Sequence, residues 1–243
     1  MHVDDGFYHW SHYYSQLKEA DCVFAISMYS KKQLFDRLGI NSIHIGAGID
    51  EDVFLNPNVD GLRFKKKYGF ENKRIILTVS RKNPSKRYDV IVSAIKKILL
   101  KYRDVKLVMI GPDDDNVSIN SSGISYIGKV SQSDLIDAYD ACEVFAMMSE
   151  SESFGMVFCE AWSRKKPVIG NSNCGAVSSL IDDGFNGLLC NNTDDLISKI
   201  SMLLDDQDYA AELGKNGFNK VLDNYTWDKV ANRALNCYKK LSR

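Results

Sequence analysis

Residues 149–167, SESESFGMVFCEAWSRKKP, contain the turn that decides the fold of this chain. The apolar run 144–147 before them reads as a buried strand, and Gly155 opens a helical pattern that Lys-Lys-Pro closes. A strand that passes through a glycine turn into a helix is typical of a parallel α/β sheet, and the helix N-terminus binds anions. Two carboxylates, Glu152 and Glu160, flank this turn eight positions apart. The segment therefore predicts a corner that holds phosphate groups, with acids beside it that can accept hydrogen bonds from hydroxyl groups.

Both carboxylates also have a simpler interpretation. Glu150 and Glu152 could be acids in the first turn of a helix, and Glu160 could be a surface position on that helix. The apolar positions of the helix are already filled by Val157, Phe158 and Trp162. If the helix begins near Gly155, Glu160 lies about 8 Å along its axis. The two carboxylates can then reach different ends of one extended ligand.

The rest of the chain alternates short apolar runs with longer helical patterns. The predicted strands are 22–27, 42–45, 75–80, 106–110, 125–127, 144–147, 167–170 and 187–190. The predicted helices are 9–19, 29–38, 88–102, 133–141, 155–165, 176–182, 194–204, 209–224 and 227–241. Uninterrupted apolar runs such as IILTVS are typical of strands covered on both faces. Residues 74–222 are therefore predicted to form one doubly wound α/β domain with a parallel, Rossmann-like sheet, in which ligands bind outside the carboxyl ends of the strands.

Composition and charge are those of an ordinary globular protein. Of 243 residues, 44% are hydrophobic and 26% charged, and the net charge is -1. No global field therefore attracts nucleic acid or an anionic membrane. One run, RFKKK at 63–67, is basic; it is interpreted as a solvated helix face or as a peripheral contact with lipid headgroups. No segment reaches the ~18 apolar residues of a membrane span, and the N-terminus lacks a signal-peptide pattern. The protein is expected in the cytoplasm, with the inner face of the membrane as an alternative.

Cysteine and histidine give little sign of a disulfide or a metal. The six cysteines form no C-x-x-C pair and mostly lie in apolar runs, so they are interpreted as buried thiols in a reducing compartment. His9 and His12 stand three apart on a predicted helix, but no third ligand has a suitable spacing. His2 adjoins Asp4 and Asp5; it could face a substrate cleft or be part of a disordered terminus.

Basic residues follow the strand predicted at 75–80. Arg81 stands at its end and Lys86 five residues later, in RKNPSKR. A planar guanidinium and a compact ammonium can together hold a diphosphate, although many strand-to-helix loops are basic without such a role. Another strand end carries Lys129 and Val130, whose backbone could bind the edge of a base or belong to an ordinary turn.

Three consecutive acids, Asp113, Asp114 and Asp115, follow the strand predicted at 106–110. They could hold a divalent cation beside a nucleotide diphosphate, or form a solvated turn after Gly-Pro. The turn is favoured because Arg81 and Lys86 already supply the positive charge that a metal would bring. Cations, acids and a helix N-terminus at neighbouring strand ends together predict a site for a nucleotide sugar.

In this combination the chain resembles the retaining GT-B glycosyltransferases, a large family of mannosyl-, glucosyl- and N-acetylhexosaminyltransferases. The signature of that family, Glu-Ser-Phe-Gly, four residues and Glu-Ala, stands here at 152–161 as ESFGMVFCEA. Further similar segments follow in chain order: DCVFAIS, IGAGID, LTVSRKNPSKRYDVIVSAI, IDDGFNGLLC and YTWDKVANRALNCYKKL. The resemblance implies a hexosyltransferase with no cofactor and no metal. The alternative is a catalytically incomplete nucleotide-sugar-binding module or a subunit of a split enzyme.

The resemblance also implies roles for single residues. Arg81 and Lys86 would neutralise the donor diphosphate, and Glu152 would face the donor sugar. Glu160 would accept hydrogen bonds from the ribose. Two further donor-binding residues would lie beside the base, Lys129 and Val130. Three more would bind the phosphate and the sugar through their backbone N–H groups: Phe154, Gly155 and Met156. Two features depart from the family: Ser80 stands where glycine is usual, and the turn 174–179 has no Glu, so no role is assigned to it.

Length is the largest departure, because the family has two Rossmann-like halves. Residues 1–55 are interpreted as a remnant of the acceptor-side half and residues 56–225 as the nucleotide-sugar-binding domain. Residues 226–243 would form a helix that packs back toward the N-terminal segment. The acceptor would be a glycan or a lipid-linked molecule, bound by a surface that another chain or an upstream segment supplies. Nucleic acid is not expected as a partner.

Overall fold

The computed structural model describes residues 16–119 and 121–241. His2, His9 and His12 lie outside the described residues, as does most of the helix predicted at 9–19. In the described part of that segment the chain forms a short 3-10 turn, Leu17–Glu19.

Strands and helices alternate along the described chain. The strands are β1 Phe24–Ala25, β2 Ile43–His44, β3 Arg74–Val79, β4 Val105–Ile110, β5 Ile124–Gly128, β6 Cys142–Met147, β7 Val168–Asn171 and β8 Leu188–Cys190. The helices are α1 Met28–Leu38, α2 Glu51–Phe54, α3 Gly61–Tyr68, α4 Tyr88–Lys101, α5 Gln132–Ala141, α6 Met156–Ser163, α7 Gly175–Leu180, α8 Thr193–Asp205, α9 Gln207–Asn224 and α10 Trp227–Leu241. None of these helices combines the length and the apolar character needed to cross a lipid bilayer.

A six-stranded sheet forms the centre of the fold, in the order β5-β4-β3-β6-β7-β8. All of its neighbouring strands are parallel. The strand order reverses between β3 and β6, and sheets of this kind bind ligands in a crevice at the carboxyl ends of the strands where the order reverses. The doubly wound, Rossmann-like sheet predicted from the sequence is therefore confirmed.

Both faces of this sheet are buried. Ile75 and Leu77 of β3 enter the core beneath α5, α6 and α7, while Ile76 enters the core beneath α4, α8 and α9. Trp162 of α6 is wholly buried, and its indole N–H donates to the carbonyl of Asn186 over 2.8 Å. Because successive side chains of a strand point to opposite faces, two covered faces require the uninterrupted apolar runs seen in the sequence.

The helix α3 was missed by the sequence prediction because it is short and strongly charged. Asp60 caps its first turn by accepting a hydrogen bond from the N–H of Leu62, and Gly69 ends it in the left-handed conformation. The basic run 63–67 lies on this helix, with Phe64 buried against the core. Three of its cations form ion pairs: Arg63 with Asp137, Lys65 with Glu143 and Lys67 with Asp134. These contacts favour a helix face engaged in ion pairs over a lipid contact.

The N-terminal segment and the last helix lie together. β1 and β2 pair in parallel around α1, enclosing a small core of Ala25, Leu34 and Ile40. The helix α10 returns along this unit: Arg233 donates to the carbonyl of Ile45 over 2.8 Å. Trp227 packs so closely on Gly48 that a Cβ at that position would lie 2.5 Å from the indole.

One expectation about cysteine is wrong. The structure joins Cys22 and Cys237 as a disulfide, with their Cα atoms 7.4 Å apart. Cys22 lies two residues before β1, and α10 brings Cys237 to it from 215 residues away in sequence. No local sequence pattern predicts such a contact. The other four cysteines are free and buried, as predicted: Cys142, Cys159, Cys174 and Cys190.

Candidate functional site

Two loops meet at the carboxyl ends of β3 and β6, where the strand order reverses. The backbone N–H of Glu150 donates to the carbonyl of Ser85 over 2.9 Å. The ammonium of Lys86 lies 2.6 Å from Oε1 of Glu152, and the Arg87 guanidinium lies 2.7 Å from Glu150. Of the residues predicted for the site, Lys86 and Glu152 are therefore in direct contact.

Local structure fixes Lys86 in this position. The loop after β3 forms a 3-10 turn, Pro84–Lys86, which Asn83 caps by accepting a hydrogen bond from the N–H of Ser85. The side chains of Lys86 and Glu152 are only 18% and 16% exposed. An ion pair that is largely shielded from water interacts more strongly than a surface pair. Lys86 and Glu152 thus form an ordered pair of opposite charges at the crevice.

The N-terminus of α6 opens into the same crevice. Gly155 has φ +99°, and no side chain of the described residues caps the helix. A Cβ on Gly155 would lie 2.9 Å from the ring of Phe158, so only glycine fits this turn. Phe154 buries its ring edge-on against Tyr225, 5.1 Å between centroids, and therefore presents only its backbone. The first N–H groups of α6, beginning with Met156, are available for an anion.

A cavity of about 320 Å³ adjoins this helix and reaches the end of β5. Its lining includes four of the residues discussed below: Arg81, Gly111, Leu135 and Val157. Lys129 and Val130, predicted to lie beside a base, also line it. The walls are mainly apolar and the rim is charged, which suits a flat aromatic group joined to an anion.

Close contact between two strand tips shapes this cavity. Gly111, directly after β4, has φ +141°, and a Cβ there would lie 1.9 Å from the carbonyl oxygen of Ser80. The carbonyl of Ser80 can therefore come so close to the backbone at Gly111 only because that residue has no side chain.

Glu160 lies on α6 one helical turn beyond Val157, which lines the cavity. Its Oε2 accepts a hydrogen bond of 2.6 Å from the hydroxyl of Tyr139, a wholly buried residue of α5. Burial raises the pKa of Glu160, and the hydrogen bond from Tyr139 acts in the opposite direction. The sequence prediction missed Tyr139, since an aromatic residue within a helix reads as core.

Arg81 stands at the rim of the cavity, turned away from the Lys86–Glu152 pair. Its guanidinium forms two hydrogen bonds to Asp114, of 2.6 and 3.0 Å, and its side chain is 67% exposed. The structure therefore brings Lys86 and Glu152 together, whereas Arg81 lines the adjoining cavity and Glu160 lies one helical turn beyond a residue that lines it, each with its own partner.

Lys82 was missed by the sequence prediction. Its side chain is only 2% exposed, and its ammonium contacts the carboxylates of Asp113 and Asp115 and, over 2.9 Å, the carbonyl of Val117. The three consecutive acids are thus all paired, because Asp114 is held by Arg81. Within 16–119 and 121–241, no three His, Cys, Asp or Glu side chains are grouped so that they could hold a metal ion. Since β3 and β4 are neighbours, a cation after one and acids after the other are a signal that could have been recognised.

Acidification is expected to release this acidic loop. Hydrogen bonds from Lys82 lower the pKa of Asp113 and Asp115, and a hydrogen bond from Arg81 lowers the pKa of Asp114. A folded-state pKa below the unfolded value, about 4, gives stability that is present above that pH and is lost as the pH falls through the folded pKa. Melting temperatures measured by circular dichroism from pH 6 to pH 3 should fall less steeply for Asp114→Asn than for the natural protein. Equal slopes would contradict this account of the loop.

The strand order and the covered sheet define a doubly wound, Rossmann-like α/β domain. Residues 62–220 match the family "Glycosyl transferases group 1", and the chain belongs to this family.

Comparison with curated proteins supports the assignment. The chain is 29% identical over 227 residues to an uncharacterized glycosyltransferase of Methanocaldococcus jannaschii, covering 92% of this chain and 60% of that protein. It is 25% identical over 229 residues to the GDP-mannose-dependent alpha-(1-6)-phosphatidylinositol monomannoside mannosyltransferase of Mycolicibacterium smegmatis, covering 86% and 59%. The chain thus spans about 60% of the length of these relatives.

Solved structures confirm the GT-B type of fold. A glycosyltransferase of Rickettsia africae superimposes with a TM-score of 0.82 at 24% identity, covering 100% of this chain and 69% of that one. A protein of Anabaena, solved in complex with UDP and glucose, superimposes with a TM-score of 0.76 at 20% identity, covering 92% and 63%.

Proposed function

We propose that this chain is the donor-binding part of a glycosyltransferase that moves a hexose from a nucleotide-diphosphate sugar to a glycan or lipid-linked acceptor, with retention of anomeric configuration. The observation that carries the proposal is the contact between Lys86 and Glu152 beside the free N-terminus of α6. It places a cation, a carboxylate and backbone N–H groups around one small volume.

The donor is proposed to lie along the crevice in a fixed order. The base occupies the apolar cavity beside Lys129 and Val130, and the ribose reaches Glu160. The diphosphate lies at the N-terminus of α6, where Met156 begins the helix, and the hexose lies beside Glu152. This order follows the positions of the cavity, the helix terminus and the ion pair on neighbouring strand ends.

The proposed chemistry uses charge that is already in place. The bond between the anomeric carbon and the phosphate oxygen breaks, and negative charge grows on the departing diphosphate. Once the bound diphosphate has replaced Glu152 and Asp114 as their partner, Lys86 and Arg81 stabilise that charge together with the first N–H groups of α6, which lowers the barrier. The acceptor oxygen forms its bond to the anomeric carbon on the face that the diphosphate leaves, and the proton of the acceptor hydroxyl passes to the departing phosphate oxygen. These cations supply the charge, so the proposal needs neither a metal nor another cofactor.

Relatives support the substrate class. One is named as GDP-mannose-dependent, another is an N-acetyl-alpha-D-glucosaminyl L-malate synthase of Bacillus anthracis, and the Anabaena protein was solved with UDP-glucose. These proteins differ in the base or the sugar of their substrates, so the proposal does not specify which base or which hexose this chain uses. It does commit to a nucleoside diphosphate with a hexose attached.

The acceptor-binding surface is proposed to come from a second half. β1 and β2 form only a two-stranded sheet, which is marginal without a covering partner. Apolar side chains remain exposed around it, Ile26 at 39%, Phe35 at 56% and Ile43 at 40%. A second half that covers this unit would complete both the small sheet and the enzyme.

Calorimetric titration of the chain with UDP, GDP and ADP tests the proposal. At least one should bind, and Arg81→Ala should weaken binding about tenfold, because one charge-assisted contact to the diphosphate is lost. With the acceptor half supplied, transfer of the hexose and its anomeric configuration can be read by NMR. Failure of all three nucleotides to bind would refute the proposal. Binding without transfer under any pairing would favour a binding module, and inversion would refute the mechanism.

A further inference from the structure

Tyr139 is held rigidly by contacts that do not involve Glu160. Its side chain is wholly buried. The ring packs against Phe145 at 5.8 Å between centroids and against Phe54 at 6.3 Å, edge-on. Its hydroxyl is therefore fixed in space by the core of the domain.

The hydroxyl engages one side of the Glu160 carboxylate. It donates to Oε2 over 2.6 Å, while Oε1 accepts no hydrogen bond from any described residue. Glu160 itself is partly exposed. One oxygen is thus tied to the core and the other remains available to a ligand.

The pair adjoins residues that line the apolar cavity. Leu135 stands one helical turn before Tyr139 on α5, and Val157 stands one turn before Glu160 on α6; both line the cavity. Side chains one turn apart share a helix face. Glu160 is therefore one helical turn from the volume in which the proposed base would lie, on the helix face that borders it.

We propose that Tyr139 is a positioning residue that orients Glu160 to accept hydrogen bonds from the ribose hydroxyls, and that this pair makes the site prefer ribonucleotides over 2′-deoxyribonucleotides. The inference rests on the proposed function. A carboxylate anchored at one oxygen cannot rotate to satisfy itself elsewhere, so a ligand that lacks the 2′-hydroxyl leaves a buried acceptor unpaired. Burial raises the pKa of Glu160, and the anchoring hydrogen bond from Tyr139 opposes that rise.

The test compares UDP, GDP or ADP, whichever binds best, with its 2′-deoxy form, by calorimetric titration. The natural protein should prefer the ribonucleotide by about tenfold or more. Tyr139→Phe removes only the hydroxyl. It should weaken ribonucleotide binding about tenfold and leave deoxynucleotide binding within about twofold, so that the preference disappears.

Tyr102→Phe is the matched control. Tyr102 also donates its hydroxyl to a carboxylate, Asp205, over 2.8 Å, but at the opposite end of the sheet. This variant should keep the natural preference. Glu160→Gln tests the same pair from the ligand side without removing the tyrosine, and it should lose the preference even if Tyr139→Phe does not fold.

Three results would overturn the inference. The first is a preference that survives in Glu160→Gln or in folded Tyr139→Phe. The second is an equal loss of affinity for both sugars in Tyr139→Phe. The third is a natural protein that binds the diphosphate but does not distinguish ribose from deoxyribose; the diphosphate site would then stand and only the role of the pair would fall. A natural protein that binds no nucleoside diphosphate would refute the proposed function and this inference with it.

Discussion

Lys86→Ala is expected to lower sugar transfer by at least about 10²-fold, the size of effect seen when one donor to a developing negative charge is removed. In the structure the ammonium is largely shielded from water and contacts Glu152 at 2.6 Å. Its removal takes a cation from the proposed leaving group and leaves the carboxylate of Glu152 without its partner. Both changes act at the crevice, so the variant should lose both diphosphate binding and turnover.

The measurement has two parts. Titration of the chain alone reports diphosphate binding, and transfer assayed with the acceptor half reports kcat and KM separately. A loss mainly in kcat indicates a contact that strengthens in the transition state, whereas a rise in KM alone indicates uniform binding. Lys97→Ala is the control, because Lys97 is a 60% exposed residue of α4 that pairs with Asp194 away from the crevice. If Lys86→Ala and Lys97→Ala behave alike, Lys86 has no role in the site.

Gly111→Ala is expected to lower the free energy of unfolding more than any other glycine-to-alanine substitution near the site. A Cβ there would lie 1.9 Å from the carbonyl oxygen of Ser80, and φ is +141°. Backbone strain and overpacking each cost on the order of 1–3 kcal/mol, so a loss of about 3 kcal/mol is expected. For a chain of this size that lowers the melting temperature by roughly 6–12 °C.

Gly69→Ala separates the two causes. Gly69 also has a positive φ, +72°, but no atom lies within 4 Å of its hypothetical Cβ. Its substitution should cost only about 1 kcal/mol, the penalty of the left-handed conformation. Thermal unfolding of both variants gives the comparison. If Gly111→Ala is no worse than Gly69→Ala, the close approach of the two strand tips does not constrain the fold.

The sheet could be predicted from sequence because its signal is local. Each of the six central strands is an apolar run of a few residues, and burial on both faces forces that composition, as Ile75, Ile76 and Leu77 show. The proximity of Lys86 and Glu152 was expected for the same reason, since both stand at carboxyl ends of strands that a parallel sheet brings to one edge; their direct ion pair is seen only in the structure.

The remainder depends on contacts between distant parts of the chain. Lysine is normally found at the protein surface, and Lys82 can be buried because Asp113 and Asp115 lie next to its ammonium group. The role of Tyr139 could not be predicted because its ring has an ordinary core environment, and it is the hydroxyl that contacts Glu160. Cys22 and Cys237 are too far apart in sequence for any pattern to join them. Each of these features results from tertiary contacts, and the local sequence around a single residue does not predict it.

The loop after β3 is close to electrically balanced before any ligand arrives. Each of its four cations faces a carboxylate: Arg81 with Asp114, Lys82 with Asp113, Lys86 with Glu152 and Arg87 with Glu150. An incoming anion must therefore exchange partners with an acid instead of joining unopposed positive charge. Inorganic phosphate gains few contacts from that exchange, whereas a larger ligand recovers the loss through apolar burial and further hydrogen bonds. The carboxylates already paired with this loop therefore lower its affinity for small anions relative to larger ligands.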